Sequence, residues 1–102
     1  MNRRADFSPE ALAHVSQVET WWRASRPAAQ ELFLQELVAA VERVAARPSC
    51  GRPYPLDTAP DLLRILLPRT RYHVYYTVAA HEPVVRIHAV WHARRGSGPQ
   101  LG

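Results

Sequence analysis

The chain contains no lysine, one cysteine, one methionine and only four glycines. The lone Cys50 excludes an internal disulfide and agrees with a reducing compartment. No uninterrupted apolar run approaches the roughly 20 residues that span a bilayer, so no membrane segment is expected. The opening MNRRADFSPE lacks the apolar run of a secretory signal, and a cytoplasmic protein follows as the expectation. All 13 basic residues are arginine, against 9 acids, which leaves a formal charge of +4. A GC-rich genome would explain the missing lysine. It would not explain why Arg64, Arg71, Arg86, Arg94 and Arg95 crowd one region. Arginine pairs with phosphate and carboxylate through a planar fork, so an anionic partner is indicated.

What the chain does have is apolar patterning. At 102 residues and 47% hydrophobic content it can close one core. Leu62 to Arg95 reads as three short runs rich in Val, Ile, Leu and Tyr, broken at Pro68–Thr70 and at Ala79–Pro83. Such runs suit strands, and the short breaks imply a three-stranded antiparallel meander. Alternation puts Tyr72, Val74, Tyr76 and Val78 on one face, with Leu63, Ile65 and Leu67 from the first run. Val85, Ile87, Ala89 and Trp91 join that face from the third. The other face carries Arg64, Arg71, His73, Tyr75, Arg86, His88 and His92. Opposing Tyr75 with Arg86 and His73 with His88 keeps charges out of the core.

Upstream, Ala5–Phe7 is a candidate edge strand. Ser8-Pro9-Glu10 has the form of a helix start: a Ser cap, Pro in the first turn and an acid at the positive end of the dipole. Leu12, Val15, Val18 and Trp22 recur at helical spacing, which predicts a helix over about residues 9–23. Trp21 and Trp22 cannot share a face, so one belongs to the core and the other to an edge or interface. A second helix is expected over about residues 28–46, with Ala29, Leu32, Phe33, Leu37, Ala40, Val41 and Val44 as its apolar stripe. The Pro-rich stretch 49–60 leads into the sheet, ordered by Tyr54 and Leu56. The tail 96–102 is turn-rich and expected to be flexible.

The fold class is therefore α+β: a short N-terminal strand, a helical hairpin and a three-stranded meander, as one domain over residues 1–95. Here the sequence resembles the RelE/ParE superfamily of type II toxins, in its ParE-like, plasmid-stabilisation branch. The resemblance rests on SPEA, PSCGRP, LRILLPRTRYHVYY and VVRIHAVWHARRG. It implies a toxin neutralised by a cognate, ParD-like antitoxin, with operator DNA met only through that antitoxin. ParE-type toxins act on DNA gyrase and block replication. RelE-type toxins cut mRNA in the ribosome.

For a nuclease of the second kind, the resemblance points to Arg64, Arg86 and His92. The missing lysines depart from that pattern, and a gyrase-binding toxin needs no catalytic constellation. Target or antitoxin binding is assigned to Arg64, Arg71, His73, Tyr75, Arg86, His88, Arg94 and Arg95. His88 and His92 would be about 13 Å apart along a strand, too far to share a metal, and neither a metal nor a cofactor is expected. His73 and His88 also read as half-buried sheet residues, and Tyr72, Tyr76 and Trp91 as core. Asp57, Asp61 and Glu82 are possible ion-pair partners of Arg64 and Arg86.

Overall fold

A computed structural model describes residues 2–94. Strand β1 (Arg4–Phe7) leads into helix α1 (Pro9–Ser25), and a turn of 3-10 helix (Pro27–Ala29) joins it to α2 (Leu32–Ala46). After a second such turn (Pro48–Cys50) come β2 (Arg52–Pro53), β3 (Leu63–Leu66), β4 (Tyr72–Val78) and β5 (Val84–His92). The expected meander is β3-β4-β5, and the sheet is wider than that by a strand on each side. Its order is β1-β5-β4-β3-β2, with β1 parallel to β5 and every other pairing antiparallel. Arg95 and the tail lie outside the described residues. No helix among the described residues is long and apolar enough to cross a membrane.

Ser8 is the joint between strand and helix. Its backbone N–H donates to the Ile87 carbonyl at 2.9 Å, and its Oγ accepts from Ala11 N at 3.0 Å, the cap the sequence predicts. The buried stripe of α1 starts one residue earlier than expected. Ala11 and Trp22 are buried, and Val15 and Val18 pack against the core, at a spacing of four, three and four. Leu12 is out of phase with that stripe and 56% exposed. Trp22 is the core tryptophan, its Nε1 donating to the Ala29 carbonyl at 2.7 Å, while Trp21 is half exposed. On α2 the buried residues are Phe33, Leu37, Ala40, Val44 and Ala45.

The helices cover one side of the sheet. Phe33, Leu37 and Val44 meet Ile65, Leu67, Val74, Tyr76, Val85, Ile87 and Val90 there. Tyr76 is fully buried and still satisfied. Its hydroxyl donates to the Pro48 carbonyl at 2.6 Å and accepts from Gly51 N at 2.9 Å. Gly51 is required for that approach, because a Cβ there would fall 2.2 Å from the hydroxyl. Burial pushes the Tyr76 phenol up to about 12. A carboxylate from α2 ties down the β3–β4 turn. Glu36 accepts from Arg69 N, Thr70 N and Thr70 Oγ1, at 2.9, 2.9 and 2.8 Å. Arg71 closes this turn in the left-handed region, at φ 68°.

The expected register of β4 against β5 is corrected. Tyr75 opposes Ala89 and His73 opposes Trp91. The register expected from the sequence would place Pro83 opposite Val78, where a residue without an N–H cannot serve the ladder. Val78 instead pairs with Val85, and a β-bulge at His88 follows between the Tyr76–Ile87 and Tyr75–Ala89 pairs. The bulge inserts one residue and reverses the face of everything beyond it. Val85 and Ile87 face the helices, and so does Val90, whereas Ala89 and Trp91 turn to the other side. The expectation that Ala89 and Trp91 belong with Val85 and Ile87 fails for this reason.

Candidate functional site

The side of the sheet away from the helices is not uniformly polar. Leu62, Tyr75 and Ala89 form a second, smaller buried cluster, roofed by Tyr54, Leu56 and Ala59 from the Pro-rich stretch and by Trp91. The expectation that Tyr54 and Leu56 order this stretch holds. Tyr75, expected on the exposed polar face, is 2% exposed.

Cations rim this cluster. Arg64 lies directly across β3–β4 from Tyr75 and donates to its hydroxyl at 3.4 Å. Its guanidinium stacks on the Tyr54 ring at 4.4 Å, and that ring meets Tyr75 edge to face at 5.3 Å. Arg52 is the cross-strand partner of Arg64 on β2, so the two share a face. His73, two residues along from Tyr75, is half-buried and 6.0 Å from it, ring to ring. Burial, reinforced by Arg64 and Arg71, holds the His73 imidazole below its usual range, so it is neutral near pH 7. Arg52, Arg64 and Arg71 thus form one basic rim at the β2–β4 end of the face, with the neutral His73 among them.

The remaining predicted residues lie elsewhere. Arg86 is exposed, pairs with Glu82 at 3.3 Å and opposes Asp6 of β1. The suggested pairing with Glu82 is therefore present, while no ion pair among the described residues joins Arg64 to Asp57 or Asp61. His88, at the bulge, is hydrogen-bonded to Thr77 Oγ1 through Nε2 at 2.8 Å, and burial lowers its pKa. His92 sits across from Tyr72 with ring centroids 4.9 Å apart. It lines a groove of about 580 Å³ with Glu10, His14, Trp21 and Trp91, between α1 and the end of β5. Arg94 is exposed just beyond β5.

Arg64, Arg86 and His92 are therefore not brought together. Arg86 and His92 are roughly 20 Å apart along one strand, and the bulge between them reverses the face. Reasoning from the sequence missed Arg52, Glu36 and the contact of Tyr54 with Arg64. Arg52 was hidden in a stretch read as linker. The signal for it was the pairing of GRPY with the strand that follows, which needs the turn over 55–61 to be recognised. No group of three or more His, Cys, Asp or Glu among the described residues is placed to hold a metal.

The family model described as the ParE toxin of the type II toxin–antitoxin system parDE matches residues 5–96. No curated protein matches the sequence. Among solved structures, a chain of the chromosomal ParDE toxin–antitoxin system of P. aeruginosa superposes with a TM-score of 0.72 at 14% identity, covering 90% of this chain and 97% of that one. A chain of the RelBE2 toxin–antitoxin complex of Mycobacterium tuberculosis gives 0.63 at 16% identity, covering 90% and 92%. One from the intact RelBE complex of E. coli gives 0.51 at 26% identity, covering 91% and 99%.

Proposed function

This chain belongs to the family of ParE toxins of type II toxin–antitoxin systems, and we propose that it is a cytoplasmic toxin held inactive by a cognate antitoxin and directed at DNA gyrase by binding alone. The observation that carries this reading is the dispersal of the residues a nuclease would need. A metal-independent ribonuclease requires a base, a cation for the phosphorane and an acid within hydrogen-bond reach of one phosphate. Arg86 is committed to Glu82, His92 meets Tyr72 edge to face near α1, and Arg64 is fastened to Tyr54 and Tyr75. A gyrase-binding toxin needs only an exposed complementary surface, and the basic rim together with the exposed Arg94 supports this reading.

The competing reading is a RelE-like endoribonuclease acting on mRNA in the ribosome. It draws on the 26% identity to the E. coli RelBE chain and on His73, a neutral imidazole beside Arg64 that could serve as a base. Expression of the chain without its antitoxin separates the two. Inhibited gyrase supercoiling with intact mRNA is the expected result. Cuts at codon boundaries with normal supercoiling would replace it with the nuclease, and His73 and Arg64 would then be the first residues to substitute.

A further inference from the structure

Arg52 and Arg64 stand directly opposite each other on neighbouring strands. Like charges in that position destabilise a sheet. The chain neutralises its other strand-borne arginines: Arg4 pairs with Asp6 and Arg86 with Glu82. Among the described residues, no ion pair involves Arg52 or Arg64. Arg71 adds a third guanidinium close enough to depress His73. The fold therefore holds a concentrated positive charge that its own acids leave unneutralised.

We propose that the Arg52–Arg64 pair, set among Tyr54, Tyr75, Arg71 and His73, is a carboxylate-binding site that receives an acidic segment of a protein partner. A guanidinium offers a carboxylate two parallel N–H donors, and two neighbouring guanidiniums can hold successive acidic side chains of an extended peptide. Arg64 is preorganised for this. Its plane is fixed by the Tyr54 ring and the Tyr75 hydroxyl, so little side-chain freedom remains to be lost on binding.

The aromatic groups distinguish this occupant from single-stranded RNA, which binds through exposed rings on which bases stack. Tyr54 already has Arg64 on one face and Tyr75 against it, Tyr75 is buried, and Trp91 meets His14 edge to face at 5.4 Å. The site offers charge and a hydrogen-bonding fork without a stacking platform. This inference rests on the protein-binding reading above and names the chemistry of its contact.

The test is fluorescence anisotropy of the full chain with a fluorescein-labelled hexaglutamate peptide at low salt. Arg52→Gln and Arg64→Gln are each expected to weaken binding roughly tenfold. The control double variant Arg43→Gln/Arg47→Gln, on exposed positions at the end of α2, removes one more charge than either and should still change binding less than about twofold. Equal loss in that control would overturn the site in favour of general electrostatics. Unchanged binding in Arg52→Gln, a change on an exposed two-residue strand, would overturn it outright. Tighter binding of an oligouridylate probe, lost in the same variants, would overturn the carboxylate assignment for a phosphate one. The peptide assay contains no gyrase. Normal supercoiling with intact peptide binding would sink the gyrase reading and leave the site standing. Peptide binding unaffected by either substitution, with supercoiling still inhibited, would sink the site alone.

Discussion

The two sides of this sheet are built from the same five strands by opposite rules. The helix-covered side buries Phe33, Tyr76, Val85 and Ile87 in a continuous core, and its one buried phenol has both hydrogen-bonding partners supplied by the backbone. The other side buries the small cluster of Leu62, Tyr75 and Ala89 under an irregular roof, and surrounds it with arginine and histidine. The first side holds the larger buried core, and the second is the side proposed to meet a partner. The small cluster matters because it gives Arg64 a firm base without hiding it.

The contrast breaks most visibly at Phe33. Phe33→Ala should cost about 3–5 kcal/mol, as expected for an aromatic removed from a closed core, read as a lowered midpoint in urea. Tyr76→Phe should cost about 1–3 kcal/mol, because the Pro48 carbonyl and Gly51 N–H lose their partner in a largely buried place. Gly51→Ala should fall in the same range by collision with the same hydroxyl, so the double variant Gly51→Ala/Tyr76→Phe should cost less than the sum in a double-mutant cycle. On the other side, Arg64→Gln should cost less than about 1 kcal/mol, the scale of an exposed cation–π contact, while weakening growth arrest more than any core variant that still folds. If its stability loss matched Phe33→Ala, the division between the two sides would collapse.

The smallest effect concerns pH. His73 and His88 both have folded-state pKa values below the ordinary 6.5, chiefly through burial. The unfolded chain then binds more protons than the folded one as pH falls through 6.5. Stability should decline over that window and level off below the folded-state values. Urea midpoints at about pH 5 and about pH 7.5 should differ in wild type and converge in His73→Gln/His88→Gln. A midpoint that rises on acidification would reverse the sign and show that these imidazoles gain a partner when charged.

Much of this was legible in the chain itself. Ser8 as a cap, the stripe of α2 from Leu32 onward (Ala29, expected in it, lies exposed in the 3-10 turn before it), the tryptophan division and the β3-β4-β5 order all follow from local rules of spacing and hydrogen-bonding capacity. Two things were less so. Residues 89–91, Ala-Val-Trp, are apolar on both faces of a strand. Alternation alone could not say whether Ala89 and Trp91 or Val90 belonged to the main core. A change of apolar phase from Val85 and Ile87 to Val90 is the mark of a bulge, and it became decisive only once Pro83 was excluded from the ladder. The basic rim was half visible: Arg64 and His73 lie on a predicted strand, but Arg52 joins them through a pairing of two residues, too short to leave a pattern.

The position of β5 has a consequence for how the molecule comes into being. β5 is the last strand among the described residues, yet it lies between β1 and β4 and pairs with both. A nascent chain that has emerged from the ribosome only as far as Glu82 has two strand edges with nothing between them and a main core lacking Val85, Ile87 and Val90. Closing a separation of this length early in synthesis is entropically costly and has no compensating contacts. The sheet therefore completes only once Val84–His92 has been made. Fragments that end before Val84 should remain unfolded and harmless to the cell that makes them, so that premature termination leaves no partial poison.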